Sequence, residues 1–132
     1  MIRKLTILPL LATLLLGASL MPARADAAHD FTGVWTSVDP VDDSFQVMSV
    51  GFSDSPRVVL IDFNATVACD GGGIAIASGR GSVSDGHLTG DFRVRCLGQG
   101  IVSTGVGFDF TLIDDETLSE AGPNPNTWAR LF

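Results

Sequence analysis

Between Phe31 and Phe132 the chain is cut at short intervals by clusters of turn-forming residues, and this spacing most constrains its fold. The breaks are Asp39-Pro40-Val41-Asp42-Asp43, Ser53-Asp54-Ser55-Pro56, Asp70-Gly71-Gly72-Gly73, Ser84-Asp85-Gly86, Gly98-Gln99-Gly100, Asp114-Asp115-Glu116 and Gly122-Pro123-Asn124-Pro125-Asn126. Seven breaks leave eight segments, 31–38, 44–52, 57–69, 74–83, 87–97, 101–113, 117–121 and 127–132. Within them the hydrophobic period is two, the signature of half-buried strands. Val102, Thr104, Val106, Phe108, Phe110 and Leu112 alternate with small or polar neighbours. Phe92, Val94 and Cys96 alternate with Arg93 and Arg95. In the third segment Val59, Ile61, Phe63, Ala65, Val67 and Cys69 share one parity, with Asp62, Asn64 and Thr66 on the other. Val58 and Leu60 break that pattern. No long stretch carries a helical period.

Eight short antiparallel strands with tight connections form a meander, which removes both of its edges by closing on itself. The expected fold is therefore an all-β, eight-stranded antiparallel up-and-down barrel, with a two-sheet β-sandwich as the alternative. The expected core is Phe31, Trp35, Val59, Ile61, Phe63, Phe92, Val94, Phe108, Phe110, Leu112 and Trp128.

Residues 1–25 read as a secretory signal, and residues 26–132 as a single domain. Arg3 and Lys4 precede an apolar run from Leu5 to Leu20, and Ala23-Arg24-Ala25 supplies a small-x-small cleavage site. The run is shorter than the ~20 residues needed to span a bilayer. Ser19 stands where a lipidated Cys would be, so no membrane anchor is expected after cleavage and the protein is expected to be secreted or periplasmic. In an exported chain the two cysteines, Cys69 and Cys96, are most simply a disulfide. The rival, a two-thiolate metal site, lacks ligands beyond His29 and His87. In a meander the two cysteines end strands three and five at one barrel end, about 9.6 Å apart across strand four. A disulfide needs a Cα separation of about 4.4–6.8 Å. The bridge thus requires strand four to start late, and Gly71-Gly72-Gly73 gives the slack.

Beyond residue 25 the chain has five Arg, no Lys and all 15 acids, a balance of −10. Such a charge repels phosphate backbones, so nucleic acid is disfavoured as a partner. Alternate turns of a meander share an end. One end gathers Asp39, Asp42, Asp43 and Asp70, and the other gathers an acidic rim of Asp54, Asp85, Asp114, Asp115 and Glu116 beside His87. Asp-rich turns are commonly solvated turn formers, and "DPVDDS" lacks the spacing of a calcium-binding loop. No metal or cofactor is expected. His87 has Asp85 on its own face but no serine in a nucleophile-elbow motif, so no catalytic constellation is expected either. Arg93 and Arg95 face outward, as a charge-balanced sheet surface or a docking patch. The exposed side of 101–113 is small and flat enough for another chain to lie against.

The stretch "FTGVW", Phe31 to Trp35, resembles the F-x-G-x-W signature that opens strand one of lipocalins and their calycin relatives. In that family the Trp closes one barrel end and a late Arg packs across it. The resemblance implies that Gly33, Trp35 and Arg130 are structural barrel-end residues. Chain size, a single disulfide and an export signal also resemble small periplasmic inhibitor barrels of proteases or lysozyme. The expected function is an exported, non-enzymatic, inhibitor-like module that binds a basic protein through an acidic rim. The alternative is a carrier of a small apolar ligand in a cavity lined by Phe92, Phe108 and Phe110.

Overall fold

The computed structural model describes residues 29–132; the expected signal segment, 1–25, lies outside the described residues. Eight strands follow in order: β1 (Gly33–Val38), β2 (Phe45–Val50), β3 (Arg57–Asp62), β4 (Ala75–Ser84), β5 (His87–Cys96), β6 (Gly100–Asp114), β7 (Thr117–Glu120) and β8 (Asn126–Arg130). Each pairs antiparallel with its sequence neighbour, and β8 returns to β1, so the sheet is a closed up-and-down barrel rather than a sandwich. This is the architecture the lipocalin resemblance implies.

The inner face follows one parity around the barrel. Trp35, Met48, Val58, Leu88, Phe110, Leu118 and Trp128 are almost completely buried. Each such side chain stabilises the fold by about 1.5–3 kcal/mol relative to exposure. The interior is filled by aromatic rings set over glycine. Phe92 and Phe108 lie with centroids 4.3 Å apart, Phe108 and Phe110 5.5 Å apart, and Phe110 meets Trp128 edge-on at 6.1 Å. Gly90 is paired with Phe108, and a Cβ there would stand 2.6 Å from the ring's Cζ.

β3 departs from the sequence expectation in two ways. Its inward residues are Val58, Leu60 and Asp62, so Val59 and Ile61 face outward, half-buried, and Phe63 is 48% exposed. Asp62 points inward because it finds partners there: it accepts from Ser44 Oγ at 2.6 Å and Gln46 Nε2 at 3.1 Å. The strand also stops at Asp62 instead of running to Cys69. Residues 63–74 form a loop containing a helical turn, in which Cys69 N donates to Ala65 O. This loop, rather than a late start of β4, carries Cys69 over Cys96, whose strand partner is Ala75. The disulfide forms with a Cα separation of 5.6 Å, and Gly71, Gly72 and Gly73 all take positive φ where the loop returns to β4. With Ala65 and Ala75 the bridge makes a second small core. A buried disulfide is consistent with an oxidising, extracytoplasmic setting.

Candidate binding surfaces

The two barrel ends differ in construction. At the end where β8 finishes, Trp35 is fully buried and its Nε1 donates to Phe31 O at 3.0 Å. The Arg130 guanidinium lies 4.1 Å from the Trp35 ring centroid. It donates to the carbonyls of Thr32 and Asp30, at 2.6 Å each, and to that of Asp115. Gly33 makes room for this: its φ is +147°, and a Cβ would meet Arg130 Nη1 at 2.7 Å. Gly33, Trp35 and Arg130 thus come together as a plug.

The sequence-predicted rim lies around this plugged end. Asp54, Asp85, Asp114, Asp115 and Glu116 are all exposed, but on three separate connections. Their acceptors serve local turns: Asp114 Oδ1 takes Glu116 N, and Asp85 Oδ2 takes Ser84 Oγ. Nearby, His87 Nδ1 pairs with Asp109 Oδ1 at 2.7 Å on the exposed surface. Phe92, Phe108 and Phe110, the expected cavity lining, instead pack against one another.

At the opposite end the acids converge. We call this end the mouth. A pocket of about 140 Å³ opens there, lined by Asp39, Gln46, Leu60, Glu120, Asn124 and Asn126. The inner residues form one continuous hydrogen-bonded chain. Gln46 Nε2 donates to Asp39 and Asp62, Asn126 Nδ2 donates to Gln46, and Ser37 Oγ donates to Asn126 and to Thr127 O. No buried polar side-chain atom among the described residues lacks a partner. Burial pushes the carboxyl of Glu120 up, opposed by a hydrogen bond from Trp128 Nε1 and reinforced by the charge on Asp39. Burial also raises Asp39, with the charges of Asp42 and Asp62 adding to it. Asp42 moves the other way, to about 2, because Thr66 donates to it through both Oγ1 and N and Ser44 adds a further bond.

Carboxylate oxygens of Asp39, Asp42 and Asp62 lie within 4.8 Å of one another, a spacing compatible with a shared cation. Protein donors already hold them: Asp62 takes Ser44, Gln46 and Asn64 N, and Asp42 takes Thr66 and Ser44. Sequence reasoning placed Asp39 and Asp42 at one end but missed Asp62 and Glu120. Both lie on the inner face of strands, and no local pattern marks an inward carboxylate.

Beside the mouth lies an apolar fringe. Phe45 and Phe63, 51% and 48% exposed, approach with centroids 6.0 Å apart, and Val41 and Val67 are exposed on the adjoining loops. Compared with protein-family models, curated proteins and solved structures, the chain matches none. The family likeness therefore rests on the barrel and on Gly33, Trp35 and Arg130.

Proposed function

We propose that this is an exported, non-enzymatic, inhibitor-like module that captures a basic protein partner at an acidic barrel end. The mouth is the better-supported end. The observation that carries the reading is the placement of two solvent-exposed phenylalanines next to a pocket whose carboxylates, among the described residues, pair with no arginine or lysine of the chain. Interfaces combine aromatic anchors with complementary charge in this way. A lysine or arginine side chain entering between Asp39 and Glu120 would relieve their mutual repulsion. The separate turn acids Asp54, Asp85, Asp114, Asp115 and Glu116 offer charge without a depression and add long-range attraction for the same partner. The mutual packing of Phe92, Phe108 and Phe110 favours a protein partner over an apolar ligand held inside. The signal-like segment and the buried disulfide support a secreted or periplasmic site of action.

The test is retention of basic extracytoplasmic proteins, lysozymes among them, on the immobilised protein at low salt. Retention should fall for the double variant Asp39→Asn/Glu120→Gln and, separately, for Phe45→Ala. If no basic protein is retained, or the carboxylate variant retains them equally well, the mouth is not the binding site.

A further inference from the structure

Four of the five arginines beyond the signal segment stand on one outer face of the barrel. The register β3–β4–β5–β6 sets them in rows: Arg57 with Arg80 and Asp91, then Val59 with Ser78, Arg93 and Thr104, then Ile61 with Ile76, Arg95 and Ile101. All four arginines are exposed. Among the described residues none of their side chains makes an ion pair, and only that of Arg80 makes a hydrogen bond, to Ser55 O. Asp91 is the one acid within these rows. Two grooves cross this face. One of about 580 Å³ runs between Arg57, Arg80, Arg93, Thr104 and Gly105. The other, of about 330 Å³, has Val59, Ile76 and Ile101 between Arg57, Arg93 and Arg95. In a chain this acidic, the face is a local site for negative charge.

The same face ends on an unpaired strand edge. β6 pairs with β5 from Gly100 to Thr111. With β7 it pairs only from Phe110 to Asp114, followed by one bond from Ala121 N to Asp109 O. Residues 101–107 therefore have a backbone partner on one side only, among the described residues. Ile101, Val102 and Val106 are 57%, 41% and 41% exposed along this stretch. An edge of this kind is a template for another strand. β6 carries extra residues at Val102 and Gly105, where its register against β5 shifts. Bulges twist an edge, which suits a short added segment and disfavours open-ended stacking.

We propose that the β6 edge, residues 101–107, receives an extended acidic segment of a partner polypeptide as an added strand, with Arg93 and Arg95 meeting its carboxylates. The added strand lies about 9.6 Å from β5. Small residues at Thr104 and Gly105 leave Arg93 room to reach across. Period two turns the added strand's apolar residues to the opposite face, the side of Ser103 and Val106. Charge selects this occupant over a second copy of the chain, whose net charge of like sign repels and whose own arginines would be brought towards the first set.

The probe is a synthetic peptide of alternating valine and glutamate, titrated by calorimetry at low salt and followed by amide hydrogen exchange. The expected result is binding that protects 101–107, fails for the valine–lysine counterpart, and weakens about tenfold in Arg93→Glu/Arg95→Glu. An acidic peptide with alternate backbone amides N-methylated should not bind. Three results overturn the proposal: no binding of the acidic peptide, binding that survives N-methylation, or protection of 101–107 by self-association without peptide. The mouth variant Asp39→Asn/Glu120→Gln should bind the peptide normally, so failure here is separable from failure at the mouth.

Discussion

Trp35 is held by packing, by one hydrogen bond and by a cation on its face, and these contributions separate by substitution. Trp35→Ala leaves a cavity beneath Arg130 and should cost about 3–5 kcal/mol in denaturant unfolding. Arg130→Lys keeps the charge but loses the planar fork that reaches three carbonyls at once, and should cost about 1–2 kcal/mol. Equal stability of Arg130→Lys and the parent would mean that the carbonyl bonds are incidental. Glu120 gives a pH prediction. Burial raises its folded-state pKa above the ordinary 4.5, so the folded chain binds its proton more tightly than the unfolded chain. Its contribution to stability therefore declines as pH rises from 4.5 through the raised value. Glu120→Gln keeps an acceptor for Trp128 Nε1 and removes this titration. The variant should be more stable than the parent at pH 7, with a flatter pH profile just above 4.5 in thermal melts. A variant that is less stable at pH 7 would show that the ionised carboxylate is net favourable.

Among the elements, the loop 63–74 is the most informative. It is fastened by the disulfide, by the bonds from Thr66 to Asp42, and by the paired bonds between the Asp70 backbone and the Gln99 amide. A ring of this size stabilises by roughly 3.5 kcal/mol in the chain-entropy account. Cys69→Ser/Cys96→Ser should lose about 3 kcal/mol, measured in denaturant against the oxidised parent. Thr66→Ala removes the main cause of Asp42's depressed pKa and should return it from about 2 towards 3.8, read from carboxyl NMR shifts. An unmoved Asp42 would mean that the backbone N–H of residue 66 and Ser44 hold it without the hydroxyl. This segment also marks where sequence legibility ends. Strand number, order and closure followed from turn chemistry and period two, because each turn is encoded locally. The parity of β3 did not, since Val58, Val59, Leu60 and Ile61 satisfy either face. The deciding residue, Asp62, is held inside by Ser44 and Gln46 from another part of the chain. "FNATVAC" alternates like a strand, yet it turns because Cys69 must reach Cys96. The mouth stayed hidden for the same reason: its carboxylates converge only when β1, β2, β3 and β7 are brought together.

At the scale of the whole molecule, charge is segregated rather than paired. Acids occupy both ends, four arginines occupy one flank, and Arg130 is spent on carbonyl groups. Among the described residues the one contact between a basic and an acidic side chain within 4 Å is that of His87 Nδ1 with Asp109 Oδ1, and no arginine pairs with a carboxylate. With so little local compensation for the balance of −10 carried by residues 26–132, long-range electrostatics work against the folded state. Screening should then stabilise the barrel. Raising sodium chloride from about 10 mM to 500 mM shortens the Debye length from roughly 30 Å to below 5 Å. The expected gain is on the order of 1 kcal/mol, or roughly 4–8 °C in Tm. A fall in Tm would mean that the arginine flank and the acidic ends attract one another across the barrel. Binding should respond in the opposite sense. The proposed capture of a basic protein at the mouth and of an acidic strand at β6 would both draw on charge attraction and should weaken with salt. A shared loss of binding while Tm rises separates electrostatic recognition from unfolding, because unfolding would remove both activities as Tm fell.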